Sequence, residues 1–187
     1  MVMVPEVVVK RRLGLEDYLA LPDDQDYEII EGVLYVSPRA RALHQIVWNR
    51  LAFTLTAHVE ERGIGTVIQD ADLIIDDQKT YISPDTMVYL GTRLEGVNLR
   101  EMLSVVPDLI VEVLSPSNDQ YDLRTKRDLY ARLGVRHYWV ADPPNRALLE
   151  HVLQPDGTYQ VLRFVSPEPF TPAAFPDLRI DLPHLLR

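Results

Sequence analysis

Residues 108–114 read Asp-Leu-Ile-Val-Glu-Val-Leu, and the predicted fold is built around this segment. It is apolar on both faces apart from Glu112, which is the pattern of a β-strand that is covered on each side. A helical pattern at residues 119–133 follows and ends at Gly134, and residues 137–141 read as another short buried strand. The order of strands and helices predicts an α/β or α+β fold, with a central mixed sheet flanked by helices.

Further elements are predicted along the rest of the chain. The longest helical signal lies at residues 39–62, with one stripe marked by Leu43, Val47, Leu51, Thr54 and His58. Shorter elements are expected at residues 14–20 (helix), 26–36 (hairpin), 66–76 (strand), 81–90 (strand), 98–106 (helix) and 146–152 with 158–165 (hairpin). The proline-spaced tail at residues 167–187 is expected to wrap the surface or contact an oligomer partner.

Length and composition exclude several classes of protein. The 187 residues fit one domain. The 19 basic and 28 acidic residues give a formal net charge of −9, which argues against a generic basic surface that coats nucleic acid. The absence of cysteine excludes disulfide scaffolds, thiolate nucleophiles and zinc–cysteine clusters. No apolar run approaches the roughly 20 residues that span a bilayer, so a soluble cytoplasmic protein is expected. No Walker-type, His-Glu-x-x-His or Gly-x-Ser-x-Gly motif is present.

Three charged residues break the local patterns. Glu112 lies in mid-strand, where an unpaired carboxylate would cost several kcal/mol, so it needs a cation or a donor. Asp85 opens the preceding strand and can converge with Glu112 if the two strands are neighbours. Lys126 occupies the apolar stripe of its helix, because apolar residues follow it at the third, fourth and seventh positions. An ion pair between Lys126 and Glu112 is therefore expected.

Two carboxylates from adjacent strands and one lysine are what metal-assisted phosphodiester hydrolysis requires. Mg²⁺ prefers oxygen ligands and is held by one or two protein carboxylates with several waters. The metal polarises the phosphate and lowers the pKa of a bound water, while a lysine can orient that water and stabilise developing charge. The pattern predicts a Mg²⁺-dependent hydrolase, with Mn²⁺ as a possible substitute.

These residues resemble a known family. The chain resembles the Uma-type putative restriction endonuclease family in three motifs. They are the Pro-Asp pair at Asp85, the sequence Pro-Asp-Leu-Ile-Val-Glu-Val-Leu-Ser-Pro-Ser at residues 107–117, and the spacing of Asp122, Lys126 and Tyr130. That family belongs to the PD-(D/E)XK nuclease superfamily. The resemblance spans about residues 15–145 and leaves a C-terminal hairpin and tail at residues 146–187.

The resemblance implies a restriction-endonuclease-like core and an endonuclease that acts on nucleic acid, with DNA as the expected substrate. It implies metal ligands at Asp85, Glu112 and the adjacent Val113, and an accessory catalytic acid at Glu28. The lysine that the superfamily has two residues after its glutamate is Leu114 here, so the catalytic lysine is carried over to Lys126.

Contacts to the phosphate backbone are expected from His44, at the start of the long helix, and from Arg124 and Arg127 in the basic segment around residues 119–137. A second basic cluster comprises Arg39, Arg41 and Arg50. Structural alternatives remain for the candidate residues: Asp85 as a turn cap, Glu112 and Lys126 as an ion pair without metal, and Glu28 on a solvated strand face. Asp70 and Asp72 are assigned to a solvated face, and Tyr130, Tyr138 and Trp139 to packing.

Two other functions fit the same sequence. The acidic balance and Leu114 would also suit a catalytically silent nuclease-fold scaffold that binds a partner or nucleic acid. The same site chemistry could hydrolyse a small phosphoester. The apolar residues Leu182, Leu185 and Leu186 suggest either a buried terminus or a contact in a homodimer or higher homo-oligomer.

Overall fold

The computed structural model describes residues 12–22, 25–37, 41–75, 79–115 and 122–187. Its α-helices are α1 (Leu15–Leu19), α2 (Ala42–Val59), α3 (Arg127–Leu133) and α4 (Leu182–Leu185). A π-helical segment, Asp122–Lys126, runs directly into α3. The strands are β1 (Asp26–Ile30), β2 (Val33–Ser37), β3 (Gly65–Gln69), β4 (Leu73–Ile75), β5 (Thr80–Ile82), β6 (Thr86–Leu90), β7 (Leu109–Val113), β8 (His137–Asp142), β9 (Ala147–Leu153) and β10 (Tyr159–Val165).

The strands form two sheets. The larger sheet has six strands in the order β10-β9-β8-β7-β6-β3, and it is mixed because β7 and β8 pair in parallel while the other neighbours are antiparallel. The smaller sheet has the order β2-β1-β5-β4 and is antiparallel. A mixed sheet with helices packed against it confirms the predicted fold class.

The two faces of β7 are covered by different layers, as its sequence predicts. Val111 and Val113 pack in one apolar cluster with Val47 and Leu51 of α2. Ile110 faces the other way and packs in a second cluster with α3. All five residues of β7 are buried, including Glu112, which alternation places on the α3 side together with Ile110.

Each of the two strands predicted at residues 66–76 and 81–90 is divided into two shorter strands, which lie in different sheets. β3 and β6 pair in the large sheet, while β4 and β5 pair in the small one. Between them, residues 70–72 and 83–85 run side by side, joined by a hydrogen bond of 3.3 Å from the backbone N of Asp70 to the backbone O of Asp85. Asp70 has a φ of 47°, and Pro84 has no N–H to donate, so the ladder is interrupted here. We call these two segments the crossing ribbon.

Two helix predictions need correction. α2 ends at Val59 rather than residue 62, and its buried face comprises Val47, Leu51, Ala52, Leu55 and Val59. Leu43 of the predicted stripe is 44% exposed, because the first turn of the helix extends beyond the buried face. Residues 39–40 lie outside the described residues.

In the parts of the chain that the structure describes, no helix is both long and apolar enough to cross a bilayer.

The helix predicted at residues 98–106 does not form. Leu103 is instead extended and buried, and it makes a parallel bridge with Leu73 of β4. Its backbone N donates to the backbone O of Asp72 at 3.0 Å. The segment ends in Val105 and Val106 before a proline, and a residue that precedes proline is disfavoured in helical conformation.

The C-terminal tail belongs to the core rather than the surface. Its apolar side chains Phe170, Phe175, Leu178, Ile180, Leu182, Leu185 and Leu186 are buried on the α2 face of the large sheet. The ring of Phe170 makes an edge contact with Trp139 of β8, with 4.9 Å between ring centroids. The buried terminus is therefore confirmed, and the three leucines that suggested an oligomer contact are covered by their own chain.

Arg50 ties this tail to α2 instead of forming the predicted basic cluster. Its Nη1 donates to the carbonyls of His184 at 2.7 Å, Leu185 at 3.3 Å and Arg187 at 2.9 Å. Arg39 lies outside the described residues, and Arg41 is exposed at the start of the helix.

We expect Arg50→Gln to lower the free energy of unfolding by about 1 kcal/mol, because charge-assisted hydrogen bonds to the last carbonyls are lost at a partly exposed site. Urea denaturation followed by fluorescence measures the change. Arg41→Gln on the same helix is the control, with an expected effect within about 0.5 kcal/mol of zero. Equal effects of the two substitutions would contradict the anchoring role of Arg50.

Candidate active site

Four of the predicted site residues meet beside the crossing ribbon. Glu28 comes from β1 of the small sheet, Asp85 immediately precedes β6, Glu112 lies in β7, and Lys126 ends the π-helical segment before α3. Glu28, Glu112 and Lys126 are each less than one-tenth exposed. The site therefore forms where the two sheets and one helix come together.

Lys126 is held between two carboxylates. Its Nζ lies 2.9 Å from Oε1 of Glu112 and 3.0 Å from Oε1 of Glu28. The predicted pair with Glu112 is present, and Glu28 is a second acidic partner rather than a residue of a solvated strand face. π-Helical turns are often found at functional sites, and this one continues directly into the turn of α3 that carries Tyr130.

Glu112 accepts a further hydrogen bond from a residue that the sequence assigns to packing. The hydroxyl of Tyr130 donates to Oε1 of Glu112 at 2.8 Å. Burial raises the pKa of Tyr130 well above the ordinary tyrosine value, and the negative charge of Glu112 adds to the rise. The hydroxyl therefore stays protonated and acts as a donor. Tyr130 stands four residues after Lys126, so helical spacing was the signal that both side chains meet Glu112.

Asp85 joins β6 to β7 beyond the last pair of their ladder, Thr86 with Val111. Its Oδ2 accepts the backbone N–H of Val113 at 2.7 Å and lies 3.2 Å from Nε2 of His44. The backbone N of Asp85 is in turn 3.5 Å from Oε2 of Glu112, so the main chain of Asp85 and the carboxylate of Glu112 are neighbours. The Asp85 side chain is 19% exposed, and that of His44 is 10% exposed.

The predicted arginine contacts are not part of this cluster. Arg124 is exposed, and the guanidinium of Arg127 contacts the neighbouring Asp128 at 2.8 Å. Asp119 and the side chain of Asp122 lie outside the described residues. Val113 contributes its backbone N–H to Asp85, which is a contact that orients the acid.

An outer set of hydrogen bonds supports Glu28. The backbone N–H of Ser83 donates to Oε1 of Glu28 at 3.4 Å, and the Ser83 hydroxyl donates to Oδ1 of Asp72 at 2.6 Å. Tyr18 of α1 donates to the same oxygen of Asp72 at 3.0 Å. Asp72 was predicted on a solvated face, but it is half-buried because the strand ends before it and the crossing ribbon turns it inwards. Asp70 is exposed, as predicted.

The donor set suits a cation that keeps part of its water shell. Among the described residues, no three His, Cys, Asp or Glu side chains form a cluster that could by itself hold a metal ion. Such a cluster is what Zn²⁺ requires, whereas Mg²⁺ is commonly held by one or two carboxylates together with waters and phosphate oxygens. Asp85 and Glu112 are two carboxylates of the kind that could hold Mg²⁺ in this way. Glu28, Asp85 and Glu112 also carry three formal negative charges against one on Lys126, and a divalent cation would balance the difference.

Comparison with solved structures supports this fold. A crystal structure described as a putative nuclease belonging to DUF820, from Anabaena variabilis, superposes with a TM-score of 0.77 at 18% sequence identity. The superposition covers 93% of this chain and 97% of that one. The large and small sheets therefore belong to an arrangement already seen in a chain of nearly the same extent.

Comparisons of sequence place the chain in a family. The uncharacterized protein slr1290 of Synechocystis is 28% identical over 122 residues, which span 64% of this chain and 63% of that protein's length. The pattern of the Uma2 family, described as "Putative restriction endonuclease", matches residues 15–183 and so includes every residue of the site described above. The chain belongs to the Uma2 family.

Proposed function

We propose that this chain is a metal-dependent endonuclease that hydrolyses phosphodiester bonds of nucleic acid, with DNA as the expected substrate. The observation that carries the proposal is the convergence of Asp85, Glu112 and Lys126 on one site, with Lys126 only 2.9 Å from Glu112. Membership of the Uma2 family supports the same conclusion. These three residues come from different parts of the chain, and the buried Glu112 and Lys126 contradict the apolar patterns of their own elements.

Asp85 and Glu112 would hold Mg²⁺ or Mn²⁺, with a backbone oxygen of Val113 as the further expected ligand. When bound, the ion supplies charge neutralisation of the phosphate and a water of lowered pKa. Val113 and His44 fix Asp85 through contacts of 2.7 Å and 3.2 Å to the same oxygen. A carboxylate that is oriented in this way needs little rearrangement when substrate arrives.

Lys126 is the residue that would act on the reacting groups. Its ammonium can orient the attacking water and stabilise negative charge on the phosphoryl oxygens as the phosphorus–oxygen ester bond breaks. Glu28 and Glu112 keep the long side chain extended into the site, at 3.0 Å and 2.9 Å from Nζ. Glu28 would thus serve as the accessory acid by positioning Lys126.

The substrate would reach the site past the more exposed residues. Asp85 is the most accessible member of the cluster, with 19% of its side chain exposed, and the exposed Arg124 lies two residues before Lys126. We assign His44, Arg124 and Arg127 to contacts with the phosphate backbone. The two arginines are cations that would offset the repulsion of a polyanion by the acidic site, and His44 lies beside Asp85 at 3.2 Å. A homodimer would bring two such sites to one duplex.

Metal titration and a cleavage assay test the proposal. The purified chain is expected to bind Mn²⁺ in a calorimetric titration and to cut DNA when Mg²⁺ or Mn²⁺ is present, but not in the presence of a chelator. Single-stranded and duplex DNA, RNA and a small phosphodiester are assayed in parallel to identify the substrate class. Absence of metal uptake at millimolar concentration, together with absence of cleavage, would favour the silent scaffold and refute the proposal.

A further inference from the structure

Two hydrogen-bond donors of the same helical stretch meet on one oxygen of Glu112. Nζ of Lys126 lies 2.9 Å from Oε1, and the hydroxyl of Tyr130 lies 2.8 Å from the same atom. The residues are one helical turn apart, so both side chains approach from the α3 side. The second oxygen, Oε2, lies on the side of Asp85, 3.5 Å from its backbone N.

This arrangement fixes the orientation of the carboxylate. A carboxylate oxygen has about two lone-pair directions, and two donors at normal distances use both of them on Oε1. Rotation of the Glu112 carboxylate would break both contacts at once. Oε2 is consequently directed towards the backbone N of Asp85, on the side where Asp85 and Glu112 would share the proposed cation.

The two donors would have different roles in the proposed reaction. Lys126 also contacts Glu28, and in the proposed reaction its ammonium would interact with the attacking water or the phosphate as well. Tyr130 has no such task. It is fully buried, and its ring packs edge-on against Tyr138 with 4.9 Å between centroids. Its hydroxyl can therefore hold Glu112 through a contact that the proposed reaction does not use.

We propose that Tyr130 is a positioning residue that directs Oε2 of Glu112 towards the divalent cation and thereby sets the affinity of the site for metal. This inference rests on the proposed function, since it concerns the same site. Outer contacts to metal-ligating carboxylates are commonly worth about 10- to 100-fold in metal affinity or activity. The role concerns orientation, so it is distinct from the charge that Lys126 contributes.

Tyr130→Phe tests the inference, because it removes the hydroxyl and keeps the ring. The matched control is Tyr159→Phe. Tyr159 packs against the same Tyr138, and its hydroxyl donates a part-buried hydrogen bond to the backbone O of Val135 at 2.7 Å, which the substitution removes. For both variants the dissociation constant for Mn²⁺ is measured by calorimetry, the unfolding midpoint by thermal denaturation, and the cleavage rate as a function of metal concentration.

We expect Tyr130→Phe to weaken Mn²⁺ binding by about 10- to 100-fold and to recover cleavage at high metal concentration. Tyr159→Phe should bind metal like the wild type although it also loses the hydrogen bond of a tyrosine hydroxyl. Equal metal affinity of the two variants would overturn the inference and leave the proposed function intact. A wild type that neither binds metal nor cleaves would overturn both. A Tyr130→Phe chain that does not fold overturns the inference alone, since the hydroxyl would then maintain the fold rather than tune the site.

Discussion

Asp85→Asn is expected to reduce metal-dependent cleavage by more than about 100-fold, because a direct ligand should matter more than the outer contacts that cost about 10- to 100-fold. The substitution keeps the shape of the side chain, and the amide oxygen can still accept the backbone N–H of Val113. It removes one negative charge and one anionic ligand from the site. Calorimetry should therefore show loss of Mn²⁺ binding by a chain that still folds.

Glu150→Gln provides the matched control for Asp85→Asn. Glu150 is also a carboxylate of the large sheet and is 1% exposed, but it accepts hydrogen bonds from Trp139 and from the backbone of Ala173 on the tail. Burial raises the pKa of Glu150, so a neutral amide is a mild change there. We expect wild-type cleavage from this variant. Equal rates of metal-dependent cleavage by Asp85→Asn and by the wild type would refute the catalytic assignment of Asp85.

Lys126→Met is expected to lower the free energy of unfolding by about 3–5 kcal/mol, the usual cost of removing one partner from a buried ion pair. Methionine fills most of the space of the lysine stem, so the loss comes from charge rather than volume. Glu28 and Glu112 would face each other across the site without the ammonium that both now contact. Urea denaturation at neutral pH measures the change.

Two further variants separate this electrostatic effect from packing. Lys126→Met combined with Glu28→Gln should recover part of the lost stability, because one of the two stranded carboxylates becomes neutral. Lys79→Met, at an exposed lysine, should stay within about 0.5 kcal/mol of the wild type. If Lys126→Met matched Lys79→Met instead, the ammonium would not be stabilising the buried acids.

The sequence predicted those parts of the fold that depend on local patterns. β7 and β8 follow from short apolar runs, the β1–β2 and β9–β10 hairpins from their turns, and the end of α3 from Gly134, which has a φ of 79°. The divided strands were missed because alternation of polar and apolar residues is the same whether a ribbon stays in one sheet or passes into another. Leu103 was missed because its partner Leu73 is distant in sequence.

The candidate site was only partly predictable for a similar reason. Glu112 and Lys126 stand out because a charge on an apolar face needs a partner, and each supplies the other. Glu28 was identified through the family resemblance, because a glutamate in a hairpin does not depart from the usual local pattern. Tyr130 was assigned to packing because a tyrosine suits an apolar stripe, although its position one helical turn after Lys126 puts its hydroxyl on the same side as the lysine.

Local sequence patterns were enough to predict the fold class, the buried central strand and the need for a cation beside Glu112, because burial and helical or strand periodicity act over a few neighbouring residues. Tertiary structure alone decided that the crossing ribbon passes between two sheets, that Glu28 becomes the second partner of Lys126 and that the tail enters the core. Those features depend on contacts between residues far apart along the chain, whose free energy exists only once the layers have packed.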